Sequence, residues 1–154
     1  MNAETLRPWL VRWMYAAVVA HLLVGLLLPV VSDAAALGAY HRVIENFFWG
    51  GPAPAAARAQ QAWWMSLFGA TVQAMALWML ALVHFADRQR QAAMWGWLIA
   101  GLLLWAPQDM LLSAHAGVWP NLWADSLALL TMLPPLFWLY AHDASYHRTA
   151  AVSE

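Results

Sequence analysis

The chain contains no cysteine and no lysine, and it has little charge of either sign. Its 154 residues include seven basic residues, all of them Arg, and eight acidic ones. Charged residues therefore make up 10% of the sequence, against about 25% in soluble domains. The absence of Cys excludes disulfides, thiol redox chemistry, thiolate metal sites and a Cys nucleophile. A net charge of −1 excludes a nucleic-acid-binding protein that neutralises phosphates, and so little charge predicts a single membrane domain over 1–154.

Hydrophobic residues make up 64% of the chain, and they are concentrated in four long runs. A helix needs about 20 apolar residues to cross a bilayer core of roughly 30 Å, and each run is long enough to do so. The links at 87–91 and 117–121 are short, so the helices that they join must lie antiparallel. The sequence therefore predicts an all-α fold, an integral membrane four-helix bundle with spans at about 13–31, 62–85, 92–116 and 122–141.

The first apolar run has a second interpretation. It follows Arg7 and Arg12 and precedes Ala34, Ala35 and Ala36, as a signal peptide with its cleavage site would. The run is longer than the apolar region of a typical signal peptide, so we expect it to be a membrane span.

The arginines are distributed unevenly between the two sides of the predicted bundle. Those on the side of the chain termini are Arg7, Arg12, Arg88, Arg90 and Arg148, and those on the other side are Arg42 and Arg58. Because Arg and Lys are in excess on the cytoplasmic side, this distribution predicts cytoplasmic N and C termini, and we expect the bacterial inner membrane. Tryptophans near the span ends fit an interfacial aromatic belt: Trp9, Trp13, Trp63, Trp64, Trp119 and Trp123.

The only long connection, at 33–61, lies on the outer side in this topology. Its apolar residues recur at helical spacing over about 35–49, before Gly50, Gly51 and Pro52. This pattern predicts a short helix that lies in the membrane interface or caps the bundle.

Asp109 is the most informative polar residue, because a carboxylate inside an apolar span is costly and marks a candidate site. It lies about 17 residues into the third span, about 26 Å from the cytoplasmic end. Pro107 and Gln108 precede it, and a proline inside a helix removes a backbone donor and favours a kink. Two interpretations stay open: Asp109 lines a polar cavity, or it lies at the outer interface and reaches water.

Four other polar residues complete the predicted ligand-binding set. His21 and Gln73 lie in the middle of the first and second spans, where they either bond to each other between helices or point into a cavity. Gln108 precedes Asp109, and Asp125 begins the fourth span on the same outer side. Pro134 and Pro135 interrupt the fourth span, which would widen the bundle and favour an internal pocket. The predicted ligand-binding residues are His21, Gln73, Gln108, Asp109 and Asp125.

A metal site is a weaker alternative on the same outer side. Its candidate ligands are His41, Glu45, Asp109, His115 and Asp125. The two histidines do not form a tight pair such as His-x-x-x-His, so we expect no metal. The sequence also has no Gly-rich phosphate loop, nucleophile elbow or His-Glu-x-x-His motif, and we expect no cofactor.

The layout resembles the EXPERA family of four-helix membrane proteins. The shared features are His21 in the first span, the sequence Ala62-Trp63-Trp64-x-Ser66 at the start of the second, and the prolines of the fourth. The resemblance implies cytosolic termini, a long non-cytosolic connection after the first helix and a pocket for a lipophilic ligand. The family's pocket acids would fall near Pro29 and at 71–73, where this chain has no acid, so the resemblance does not extend to a sterol-isomerase mechanism.

Three functions are consistent with these observations. The first is the binding or conversion of a lipophilic small molecule in a pocket between the third and fourth spans. The second is an accessory or structural subunit of a larger membrane complex. The third is a small proton-coupled transporter that uses Asp109 and would need to dimerise to enclose a pathway. The expected partners are a lipid or lipophilic molecule and a second copy or another membrane protein, and no nucleic acid.

Overall fold

Every regular element in the computed structural model is a helix, within the residues that it describes, which are 3–152 for the backbone and 3–146 for the side chains. A 3-10 turn at Ala35–Leu37 precedes the second helix. The helices are α1 (Ala3–Val31), α2 (Gly38–Trp49), α3 (Ala55–Gln89), α4 (Ala92–His115) and α5 (Trp119–Val152).

Four of these helices, α1, α3, α4 and α5, are long and apolar enough to cross a membrane, counting only the described part of the chain. The prediction of an all-helical protein with four membrane-crossing helices is therefore confirmed. α1, α3 and α5 extend beyond the predicted apolar spans, most clearly α3, which begins at Ala55, before its apolar run. Ala, Arg and Gln favour helix, so the backbone is also helical outside the apolar run. At Gly50, which ends α2, the backbone turns left-handed with φ of 68°.

The four long helices form two antiparallel pairs, α1 with α3 and α4 with α5, and contacts within each pair are more extensive than contacts between the pairs. The start of α1, the end of α3, the start of α4 and the end of α5 meet at one end of the bundle, which we call the terminal end. The opposite end carries α2, and we call it the α2 end.

Large buried side chains are concentrated in the half of the bundle next to the terminal end. All four long helices contribute to this hydrophobic cluster, whose buried members are Val11, Met14, Val18, Val83, Ala86, Trp95, Leu98, Ile99, Met132, Leu136 and Leu139. Towards the α2 end, the buried residues of the long helices are mostly small or polar, such as Gly25, Gly69, Ala106 and Ser113.

Two glycines bring α1 and α3 together in the half of the bundle next to the α2 end. A Cβ on Gly69 would lie 2.7 Å from Cδ of Pro29 and 2.9 Å from the carbonyl oxygen of Gly25. A Cβ on Gly25 would lie 2.9 Å from the carbonyl oxygen of Gly69. Glycines at such a crossing let two membrane helices approach closely, so backbone contact replaces side-chain packing here.

Candidate functional site

A chain of polar side chains connects α4 to α5 at the α2 end. The hydroxyl of Ser113 donates a hydrogen bond to Oδ1 of Asp109, one helical turn earlier, at 3.0 Å. The side-chain amide of Asn121 donates to the Ser113 hydroxyl at 3.1 Å. The short turn between the two helices, with Gly117 at φ of 64°, places these residues opposite each other. One oxygen of Asp109 is therefore held in a defined orientation.

Asp125 lies one turn after Asn121 on α5 and is 5% exposed. Its Oδ2 is buried and has no hydrogen-bond partner among the described residues. Asp109 lies close enough to interact with it electrostatically, so two acidic side chains are brought together here. An ionised carboxylate buried in this way is costly unless a donor or a positive charge compensates for it. We call Asp109 and Asp125 together the carboxylate site.

Tyr40 of α2 lies beside the carboxylate site and forms a hydrogen bond with Asn121. Its burial raises the pKa of the Tyr40 phenol above the ordinary value, and the charges of Asp109 and Asp125 raise it further. A hydrogen bond between Tyr40 and Asn121 has the opposite effect on that pKa. Because the phenol stays protonated at neutral pH, it is a neutral polar group beside two acidic ones.

A shallow open groove of about 320 Å³ lies against the outer face of α4 next to Asp109. It is lined by Trp105, Gln108, Asp109 and Leu112. These residues follow the i, i+3, i+4, i+7 spacing of one helix face. The side-chain amide of Gln108 donates to the carbonyl oxygen of Leu104 at 2.6 Å, within its own helix. The groove thus joins the carboxylate site to the apolar outer surface.

Gln73 lies outside this site, since its amide donates to the carbonyl oxygen of Gly25 on α1 at 3.0 Å. That carbonyl is four residues before Pro29, which has no N–H to donate to it. Gln73 therefore replaces the missing backbone donor. His21 forms a hydrogen bond with the carbonyl oxygen of Ala17 at 2.7 Å, within α1. The predicted alternative in which His21 and Gln73 bond to each other is wrong, because each binds a backbone carbonyl instead.

The same compensation occurs at a second proline. Pro135 has no N–H for the carbonyl oxygen of Thr131, four residues earlier. The indole N–H of Trp13 on α1 donates to that oxygen at 3.0 Å. The sequence predicted that these prolines interrupt the fourth span, and the structure shows one continuous helix, α5, instead. The Thr131 carbonyl oxygen is bonded by Trp13 of the neighbouring helix α1.

The five candidate metal ligands do not come together. No group of three or more His, Asp and Glu side chains that could hold a metal ion occurs in the described part of the chain. His41 and Glu45 face α1 and α3, where Glu45 accepts a hydrogen bond from Nη1 of Arg58 at 2.8 Å. This bond lowers the pKa of Glu45 below its ordinary value. The ring of His115 lies edge-on to Phe47, with 6.0 Å between the centroids.

The sequence reasoning missed a buried charge cluster at the terminal end. Nε and Nη2 of Arg7 donate to the two carboxylate oxygens of Asp143 at 2.8 and 3.0 Å. The indole of Trp95 donates to the same carboxylate at 2.9 Å, and Nη1 of Arg7 lies 3.2 Å from Asp87. Arg7 is 6% exposed and Asp143 is fully buried. The signal in the sequence was that Arg7 precedes the first span and Asp143 follows the last, so the predicted topology places both at the same end of the bundle.

Comparison with known proteins does not assign the chain to a family. No family model, no curated protein and no solved structure matches it. Any inference about function therefore rests on the geometry of the chain.

Proposed function

We propose that the protein binds or converts a lipophilic small molecule whose apolar part lies in the α4 groove and whose polar end reaches the carboxylate site. The observation that carries this proposal is the buried Oδ2 of Asp125, which has no partner among the described residues. It lies near Asp109, which also lines the groove. Sites for small molecules are mostly apolar with a few oriented polar groups, and this arrangement has both parts.

The chemistry of the site limits the polar end of the ligand. Carboxylate oxygens accept hydrogen bonds, so a suitable ligand carries a donor such as a hydroxyl group. A ligand that ends in a carboxylate would add a third negative charge beside Asp109 and Asp125 and is disfavoured. Trp105 and Leu112 offer apolar contact to the remainder of the molecule.

The position of the site in the membrane follows from the proposed orientation. The positive-inside rule supports cytoplasmic termini, in a bacterial inner membrane, and then the α2 end faces the outer side. The exposed aromatic residues of α2, Phe47, Phe48 and Trp49, support a position of this helix at the interface. A ligand would then enter the groove sideways from the outer leaflet. The resemblance to the EXPERA layout stays a prediction and agrees with such a pocket.

The proposal is tested by photolabelling the protein in lipid nanodiscs. Two probes of equal chain length, a diazirine fatty alcohol and a diazirine fatty acid, differ only in the polar end. We expect the alcohol to label α4 near residues 105–112 and the acid to label it less. Asp125→Asn and Asp109→Asn each remove one carboxylate charge, and we expect about tenfold weaker labelling by the alcohol from each.

The matched control is Asp33→Asn. Asp33 is an exposed acid at the same end, with 75% of its side chain accessible, and it lies 3.4 Å from Arg58. Labelling should be unchanged in this variant. If the alcohol labels wild type, Asp125→Asn and Asp109→Asn equally, the assignment of the ligand to the carboxylate site is wrong.

A further inference from the structure

A second group of buried polar atoms lies on the other side of α2, facing α1 and α3. Nδ1 of His41, Nε of Arg58 and both amide atoms of Gln61 are buried and make no hydrogen bond among the described residues. The His41 side chain is fully buried. The large majority of buried side-chain polar atoms have a hydrogen-bond partner in the protein or in ordered water, so such a concentration requires an explanation.

The tautomer of the neutral His41 ring follows from its one hydrogen bond. Nε2 of His41 lies 2.7 Å from the carbonyl oxygen of Ser32. A carbonyl oxygen can only accept, so Nε2 carries the hydrogen, and in the neutral ring Nδ1 then offers a lone pair. His41 therefore presents an acceptor to the interior of the protein.

The neighbouring groups already have partners and do not satisfy this acceptor. Glu45, one turn after His41, accepts a hydrogen bond from Arg58. The hydroxyl of Ser66 donates to the hydroxyl of Ser32 at 3.0 Å. The donors and acceptors left over are thus on His41 and Gln61, because Nε of Arg58 forms an ion pair with Oδ1 of Asp33 at 3.4 Å.

Gln61 lies one turn after Arg58 on α3, and Arg58 bonds to Glu45, which lies one turn after His41 on α2. A carboxamide offers one donor group and one acceptor, whichever way its oxygen and nitrogen are assigned. The unpartnered atoms therefore comprise acceptors from His41 and Gln61 and a donor from Gln61. A group that fits them must both donate and accept.

We propose that His41 and Gln61 form a binding site for one hydroxyl group, supplied by an ordered water or by a small polyol. The hydroxyl donates to Nδ1 of His41 and accepts from the amide of Gln61. A carboxylate has no hydrogen for His41, and an ammonium has no lone pair for Gln61, so neither class of ligand fits. The site lies across α2 from the carboxylate site and does not depend on the function proposed for that site.

The test compares Gln61→Leu with Gln60→Leu, its neighbour on the exposed side of α3. If a bound hydroxyl satisfies the amide, Gln61→Leu breaks a hydrogen-bonded group and lowers the Tm in nanodiscs below that of Gln60→Leu. If no hydroxyl is bound, leucine replaces an unsatisfied amide and the Tm is equal or higher. A Tm for Gln61→Leu equal to or above that for Gln60→Leu overturns the proposal.

A measurement on the wild-type protein covers the case in which Gln61→Leu does not fold. Nuclear Overhauser spectra of the protein with 15N-labelled glutamine and histidine should show contacts from the Gln61 amide or the His41 ring to a hydroxyl proton. A contact at the water frequency identifies water, and a contact to glycerol, added as the probe, identifies a polyol. The absence of both contacts overturns the proposal.

Discussion

Both ends of the bundle bury charged side chains, but the hydrogen bonding of these side chains differs between the two ends. At the terminal end, the carboxylate of Asp143 accepts three hydrogen bonds, two from Arg7 and one from Trp95. At the α2 end, one oxygen of Asp125 and one nitrogen of His41 are buried without a hydrogen-bond partner among the described residues. A buried aspartate is thus fully paired at one end and has an unpaired oxygen at the other.

This difference distinguishes buried charges that stabilise helix contacts from buried polar groups that can bind a ligand. A buried charge that is fully paired within the protein holds helices together and has nothing left to offer a ligand. The Arg7 and Asp143 pair joins α1 to α5, and Trp95 adds α4. Near this cluster, His142 lies 3.2 Å from Glu4 and stacks on Trp138. The buried polar atoms without a hydrogen-bond partner at the α2 end contribute little to helix contacts, and they are available to bind an additional molecule.

The largest expected effect is at the terminal end. Asp143→Asn removes the carboxylate that accepts two hydrogen bonds from the buried Arg7 and leaves, among the described residues, only Asp87, at 3.2 Å, as its counter-ion. This loss should lower the free energy of unfolding by about 3–5 kcal/mol. The control is Glu4→Gln, because Glu4 is half-exposed in its ion pair with Arg90 and such pairs contribute about 0–1 kcal/mol. Unfolding in detergent with increasing denaturant measures both. Equal, small losses of unfolding free energy in the two variants would mean that the charge cluster does not stabilise this end of the bundle.

A smaller effect is expected where glycines hold the other half of the bundle together. The added methyl of Gly69→Ala would meet Pro29 and the Gly25 backbone, and the resulting overpacking should cost about 1–3 kcal/mol. Gly101→Ala is the matched control, since nothing lies within 4 Å of a Cβ there. That substitution should be neutral or stabilise by up to about 1 kcal/mol. The same unfolding assay decides, and equal stabilities of the two variants would contradict close contact between α1 and α3.

The smallest of these effects concerns the hydrogen bond that compensates for Pro29. Gln73→Leu should cost about 1 kcal/mol in the wild-type background, because the Gly25 carbonyl loses its donor. In a Pro29→Ala background, the backbone N–H of residue 29 can bond to that carbonyl, so the same substitution should cost less. A double-mutant cycle measures the coupling of the two residues. Additive effects would show that Gln73 does not act through the carbonyl freed by Pro29.

The helices could be predicted from the sequence, and much of the site could not. Apolar runs of sufficient length specify membrane-crossing helices, because a helix satisfies its backbone hydrogen bonds within one segment, whereas a loop or an open sheet edge in lipid does not. Asp109 and Asp125 could be singled out because an acid among apolar residues is costly. The interaction of Gln73 with Gly25 was not predictable, because it depends on the rotation of α1 relative to α3.

Composition and the lengths of the apolar runs determined that this is an all-helical protein with four helices that can span a membrane. Only the tertiary structure decided which charged and polar groups are paired and which are left for a partner. Arg7 and Asp143 are 136 positions apart in the chain, and either could have faced solvent or lipid headgroups. The physical reason is that apolar residues surround each long helix on all sides. Hydropathy therefore gives no preferred inward face, and the rotation of each helix is set by the specific contacts between helices.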